Sequence, residues 1–416
     1  MTRVLLALVL VVSMAGCVRH SPNRIIIWNQ MQPMERDILD KHLALFGQKY
    51  PDWEFKQLYY ETEELRTNYL IAALGGSGPT MIHGPSDQIP PMLELDVLRP
   101  MEDLFDSSFL SLFIDTTVNT LTWLKNPRSG ETHLYQIADQ VGNHLCLIYN
   151  KKLIATPPDS LSELLELSKR MTIDQDGDGR PEQYGIVWNY IEPYFFFPFF
   201  TGYGGRIFDE NRNPQLNSQA AIESIRLIDA MRNTYRIIPL ESNYDLAKSM
   251  FKEGRSAMII DGPWSWGDYI KSGMDIGIAR IPYIESSGKW PAPIVATRGY
   301  SLNPNMTPEQ TEKAVELLKY LNSPEVQLEM SLANFTIPSR KEAFFSPEIQ
   351  NNPIMKASID QISVGTPMPL ITEIRAVWDG MRPGYQSIFG NPPNTPEKAA
   401  EMMQERTTTL IKDFRK

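Results

Sequence analysis

Short apolar runs alternate with stretches of helical spacing along this chain, and that alternation constrains its fold more than any other feature. Ile25-Ile26-Ile27-Trp28 reads as a strand, after which Leu39, Leu43, Phe46 and Tyr50 recur at helical intervals. Residues 53–59 alternate as a second strand. Leu65, Tyr69, Ala72 and Ala73 mark a second helix, which Gly75-Gly76-Ser77-Gly78-Pro79 stops before a short strand over 80–83. The middle of the chain repeats this grammar. Ser160 and Glu163 spell a capping box for a helix carrying Leu161, Leu164 and Leu165. Residues 221–235 read as a helix, 257–260 and 274–279 as strands. Thr307-Pro308-Glu309-Gln310 opens a helix with Ala314, Leu317, Leu318 and Leu321 on one face; Ser323-Pro324 and Thr395-Pro396 start others in the same way. Strands alternating with helices predict a mostly parallel sheet covered by helices. The 416 residues are too many for one small core, and no composition break divides them. The expected architecture is α/β with two lobes between which the chain crosses more than once.

The start of the chain reads as an export signal. Arg3 supplies a positive region, and the apolar run 4–12 is too short to span a bilayer. Ser13-Met14-Ala15-Gly16-Cys17 follows, with small residues suited to cleavage. The segment resembles a bacterial lipobox, with Met14 where Leu is usual. That resemblance implies a signal peptide over 1–16, lipid on the Cys17 sulfur, a tether over 17–23, and a place on the periplasmic or extracellular face of the cell envelope. No other apolar stretch in the sequence is long enough for a membrane span. With 40 Lys+Arg against 50 Asp+Glu, the net charge of −10 argues against a nucleic-acid partner. If Cys17 carries lipid, only Cys146 remains, so no internal disulfide is expected. Cys146 lies in the apolar run Leu145-Cys146-Leu147-Ile148-Tyr149 and reads as a buried, inert thiol.

The binding chemistry is carried by aromatic residues beside carboxylates. The apolar run ending at Ile260 breaks at Asp261-Gly262-Pro263 and is followed by Trp264-Ser265-Trp266. Ligands of open α/β sheets gather at strand ends. An indole there offers a flat face to a sugar ring and an N–H free to bond, although core packing is the ordinary fate of Trp. Glu192-Pro193-Tyr194 puts a carboxylate and a phenol on either side of a rigid Pro, ahead of a Phe-rich run that reads as core. Tyr244 precedes a helix that ends near Lys252-Glu253-Gly254. Asp87 follows the strand ending at His83, as a sheet-edge acceptor or a helix cap. Trp378 falls in Arg375-Ala376-Val377-Trp378-Asp379, on a helix.

Ile148-Tyr149-Asn150-Lys151, Glu192-Pro193-Tyr194, Gly254-Arg255-Ser256-Ala257-Met258, Asp261-Gly262-Pro263-Trp264-Ser265-Trp266 and Met368-Pro369 before Trp378 occur in that order. In this ordered set the chain resembles the extracellular solute-binding proteins of ABC sugar importers, the maltose binders in particular. The resemblance implies a ligand cleft between two lobes, 24–139 with 297–338 and 140–296 with 339–416, joined by a multi-crossing hinge. It implies a monomer that binds a carbohydrate and delivers it to a membrane permease. Carried over residue by residue, Asp87, Glu192, Tyr194, Tyr244, Trp264 and Trp378 are the ligand-binding candidates, with Trp264 and Trp378 as stacking platforms and Trp266 as packing. The departures fall in the near lobe. Gln88 stands where maltose binders have Arg, Gly84 where they have Trp, and Pro33 where they have Lys. A further carboxylate position aligns with Asn143, with Asp139 or Gln140 as alternatives. A carbohydrate is expected, with maltose itself in question.

Asp174-Gln175-Asp176-Gly177-Asp178-Gly179 resembles a calcium loop through Asp174, Asp176 and Asp178. Gly185 stands where the twelfth-position Glu belongs, Glu182 partly compensates, and an acidic turn is the simpler account. No other cofactor is expected. The sequence carries no metal-binding His pair, Gly-x-Ser-x-Gly or phosphate loop, which argues only weakly against catalysis; the lipobox and the ordered family motifs weigh more, and no enzyme is expected. The rival readings are a secreted glycoside hydrolase, because carboxylates and aromatic platforms also describe those, and a sugar-binding protein that feeds a sensor.

Overall fold

The computed structural model describes residues 23–114 and 122–414. Cys17 and the segment 1–22 lie outside the described residues. Strands β1 (Arg24–Asn29), β2 (Glu54–Tyr59), β3 (Met81–Pro85), β4 (Trp123–Lys125), β5 (Thr132–Leu134) and β6 (Ile137–Gly142) come before the first crossing. After it come β7 (Cys146–Asn150), β8 (Tyr184–Val187), β9 (Ser256–Asp261), β10 (Ile276–Ala279), β11 (Ile294–Leu302), β12 (Ile337–Pro338) and β13 (Thr366–Pro367). One sheet runs β12-β6-β11-β3-β1-β2 with β13 beside β11; a second runs β10-β7-β9-β8; β4 and β5 form a small hairpin.

The sheets are mixed, not mostly parallel. In the first, β1 pairs with β2 and β3 in parallel, while β11 runs antiparallel to β3 and β6. In the second, β7 is antiparallel to β9 and β10, and only β8–β9 is parallel. The reason is topological. β11 re-enters the first sheet from the other lobe and so meets its neighbours head to tail.

The local readings translate into buried faces. Leu39, Leu43 and Phe46 of helix Pro33–Gly47 pack beneath β1, whose Ile25 and Ile27 point into the same core. Thr307 and Gln310 form a complete capping box at the start of helix Pro308–Leu321. At helix Leu161–Met171 only half of the expected box forms: Ser160 Oγ accepts from Glu163 N, while the Glu163 carboxylate takes the Asp159 N–H at 2.9 Å. The Phe run is core, with Phe195, Phe196, Phe197, Phe199 and Phe200 buried in helix Pro193–Gly202. Cys146 is fully buried, and burial raises its thiol pKa well above the ordinary value.

Each sheet carries its own hydrophobic core, which makes two lobes. β6 carries the first sheet past the expected boundary at 139/140, through to Gly142 opposite Ala296. At the start of β11 the side chains divide: Ile294 and Ala296 pack in the second lobe's core and Val295 in the first's. Helices Pro347–Gln350 and Pro353–Ile362 place Ile349 and Met355 in the first lobe's core, before Met368 joins the second. The chain therefore crosses after β6, at β11 and again near β13. No helix among the described residues is long and apolar enough to cross a membrane.

Candidate functional site

Three aromatic side chains from separate segments of the second lobe meet at the interlobe cleft. Helix Pro193–Gly202 carries Tyr194 in its first turn, helix Pro263–Lys271 carries Trp264, and helix Glu373–Gln386 carries Trp378. The Tyr194 ring lies 6.5 Å from that of Trp264 and 6.3 Å from that of Trp378. Trp378 also meets Phe197 edge-on at 6.4 Å. All three cleft rings are partly exposed, whereas Trp266 is fully buried and T-shaped against His144. Burial holds the His144 imidazole neutral, its pKa lowered to about 3.

Two of these rings are held by specific devices. Gly262 caps the helix of Trp264, and a Cβ there would lie 2.2 Å from Trp264 Cη2, so the indole folds back over bare backbone. The Tyr244 hydroxyl lies beside the Trp264 side chain, and burial pushes its pKa up. Tyr244 stands in the first turn of helix Tyr244–Lys252. The Tyr194 hydroxyl donates to the Asn143 carbonyl, and burial pushes its pKa up. Asn143 itself sits at the first crossing with φ 51°, a left-handed conformation that Asn tolerates. Of the alternatives to Asn143, Asp139 faces His83 Nε2 at 3.0 Å and Gln140 donates to Glu35.

Charged groups line the cleft around these rings. Asp87 lies in the tight turn after β3 and caps no helix with its side chain. Its Oδ1 is buried without a donor, and burial pushes its pKa up to about 6, with Glu63 adding to the rise and Arg375 and Arg66 opposing it. Glu192 is gripped by Arg382, whose Nη2 donates at 2.8 Å and Nε at 3.3 Å. Arg382 and Arg375 are residues that the sequence reading missed. They share a helix face with Trp378 at the i, i+3 and i+7 positions, a spacing that was open to detection. Arg375 Nη1 reaches Glu63 of the first lobe at 3.0 Å, and Thr372 Oγ1 donates to Glu94 at 2.8 Å. At Gly84 a Cβ would lie 2.9 Å from Gln88 Oε1, the movable end of a side chain. Pro33 lies across the cleft from Trp264, where both line one cavity.

The acidic loop is separate from the cleft. Carboxylate oxygens of Asp174, Asp176 and Glu182 converge within 4.8 Å of one another. Asp178, expected in that set, instead accepts the Arg180 N–H at 2.7 Å.

Two mixed-sheet lobes, a hinge of several crossings, and an aromatic cleft ringed by carboxylates define a bacterial solute-binding protein of the sugar-binding type. The model of the bacterial extracellular solute-binding protein family matches residues 42–357, and the chain belongs to that family. Similar proteins include the maltotriose-binding protein of Pyrococcus abyssi, 26% identical over 89% of this chain and 78% of its own length. A maltooligosaccharide ABC transporter solute-binding lipoprotein of Streptococcus pneumoniae is 26% identical over 66% of this chain and 64% of its own. Among solved structures, the maltose/maltodextrin-binding domain MalE from Bdellovibrio bacteriovorus bound to maltotriose is 43% identical, with a TM-score of 0.85 over 94% of this chain and all (100%) of that one. The relatives are binding proteins, not enzymes, and so is this chain.

Proposed function

We propose that this protein captures a malto-oligosaccharide of the maltotriose class in the interlobe cleft and delivers it to an ABC permease, held to the envelope by lipid on Cys17. The observation that carries the reading is the converging trio Tyr194, Trp264 and Trp378, flanked by the buried acceptor Asp87 and by Glu192. Sugars present C–H faces that stack on such rings and hydroxyls that donate to carboxylates. Trp264 and Trp378 act as platforms, Tyr194 closes the angle between them, Asp87 and Glu192 accept hydroxyls, and Tyr244 fixes the Trp264 ring. Closure of the lobes about the hinge buries the sugar, as in other hinged binding proteins. The relative that is 43% identical was solved with maltotriose, which supports an α-glucan ligand despite the altered residues Pro33, Gly84 and Gln88. Calorimetry against maltose, maltotriose, maltotetraose and a galacto-oligosaccharide tests the reading. Tightest binding of an α-glucan is expected, and no heat with any sugar overturns it. A calcium ion on Asp174, Asp176 and Glu182 would add a structural role, tested by a rise in Tm with added calcium that Asp174→Asn abolishes.

A further inference from the structure

The wall that faces Trp264 comes from the other lobe. Gln32, Pro33, Glu35, Arg298 and Thr336 line it, and a cavity of about 290 Å³ separates it from the indole. Arg298 projects from an irregularity in the sheet. It pairs with Gln140, while its neighbour Gly299 pairs with Ala138, so Asp139 is the extra residue of a bulge. Bulges re-aim side chains. The guanidinium is then anchored from behind, because Nη1 donates to Glu35 Oε1 at 3.0 Å. Glu35 is only 2% exposed and also accepts from the Gln32 N–H at 2.7 Å and Gln140 Nε2 at 3.2 Å. Burial raises the Glu35 pKa, but Arg298 and these hydrogen bonds bring it below the ordinary carboxylate value, so the pair is ionic.

Two buried polar atoms of this wall have no partner in the protein: Arg298 Nε and Thr336 Oγ1, the latter on a residue 7% exposed. Buried donors are ordinarily satisfied. Opposite them stands the Trp264 indole, with Lys248, Asp268 and Lys271 of the same lobe also lining the cavity. A ring face set opposite unpartnered donors is the complement of a pyranose ring, with its C–H face on the indole and its oxygens toward the donors.

We propose that Arg298 and Thr336 bind the oxygen edge of the sugar unit that stacks on Trp264, with Glu35 and the β-bulge as the positioning elements. The inference rests on the carbohydrate reading above and adds to it the residues that set affinity at this end of the cleft. The test is calorimetry with maltotriose on the full chain. Arg298→Met weakens binding by about 10- to 100-fold and Thr336→Val by roughly 3- to 10-fold, as expected for loss of a charge-assisted and a neutral hydrogen bond. Because Arg298 and Trp264 hold the same sugar unit, Arg298→Met has a much smaller effect when added to Trp264→Ala. If Arg298→Met does not fold with Glu35 left unpaired, Glu35→Leu/Arg298→Met replaces the buried pair with apolar volume and carries the same comparison. Equal affinity of wild type and variant, or the same fold loss in both backgrounds, overturns this inference alone. A wild-type protein that binds no sugar overturns the carbohydrate reading, and this inference with it.

Discussion

Glu63 and Arg375 face each other across the cleft, one from each lobe, with Arg375 Nη1 3.0 Å from Glu63 Oε1. Arg375 also holds Asp379 at 3.2 Å, and Asp379 lies 3.6 Å from Arg382, which grips Glu192. A line of alternating charge therefore runs from the first lobe to the Glu192 carboxylate of the second. The Glu63 side chain is 60% exposed, so the cross-lobe pair is a screened one, worth about 1 kcal/mol or less. Arg375→Ala is expected to raise the maltotriose Kd by no more than about fivefold. The effect shrinks toward zero as salt is added, because screening already weakens the pair in the wild type. Calorimetry at two ionic strengths measures this.

Trp264→Ala removes an aromatic anchor and is expected to cost about 2 kcal/mol or more of sugar affinity, near 30-fold in Kd. Gly262→Ala reaches the same platform indirectly. Its Cβ would collide with the indole at 2.2 Å and tilt the ring away. It should therefore weaken binding while leaving Trp264 in the sequence, and a titration of intrinsic Trp fluorescence distinguishes the two variants.

Asp87 is expected to give the affinity a pH dependence. Its carboxyl in the folded protein titrates near 6, above the ordinary 3.8, because it is buried. The sign follows from linkage. The contribution of a raised carboxyl to stability is fully present below the unfolded value and is lost as pH rises through about 6. A sugar hydroxyl that donates to the carboxylate offsets that loss, so sugar favours the ionised form. Affinity should rise with pH up to about 6 and then level off, with a slope of at most about tenfold per pH unit. Asp87→Asn should flatten the profile. Asp261 also titrates near 6 through burial, but it holds the Tyr269 hydroxyl at 2.7 Å in the core. Melting curves of the sugar-free Asp87→Asn variant therefore retain a pH dependence that its binding curves lack.

Gly380 lets helices Glu373–Gln386 and Pro396–Phe414 touch. A Cβ there would lie 2.6 Å from Thr407 Cα, which is backbone and cannot swing aside. Gly380→Ala should cost about 1–3 kcal/mol of stability, read from urea unfolding. It should also shift Trp378, two residues away on the same helix, and weaken sugar binding more than the loss of stability alone explains.

Cys17→Ser tests the anchor. If lipid on that sulfur holds the protein, the variant moves from the membrane fraction to the soluble envelope fraction with its sugar affinity intact. Retention in the membrane fraction would exclude Cys17 as the attachment point.

The elements were legible in the sequence where local pattern decides them. Leu39, Leu43 and Phe46 announced one buried helix face, and Thr307 with Gln310 announced a capping box that forms in full. The packing role of Trp266 was legible too, and it is buried outright. Strand direction was not, because apolar alternation is the same in parallel and antiparallel neighbours; β11 took its direction from its path between lobes. The site was half legible. Strand ends and helix starts flagged the aromatic residues, since those junctions carry their own signals. What they would bond to was settled by residues far away in the chain: Asn143 for Tyr194 and Arg382 for Glu192. Arg298 carried no sequence signal at all. Its orientation depends on a bulge against Gln140 and on Glu35, 263 positions away, and such long-range pairing exists only once the sheet has formed. The sequence by itself determined which residues could serve a sugar. The tertiary structure decided which of their polar atoms remain free to do so, because hydrogen-bonding capacity is spent on the nearest partner in space and not on the nearest in the chain.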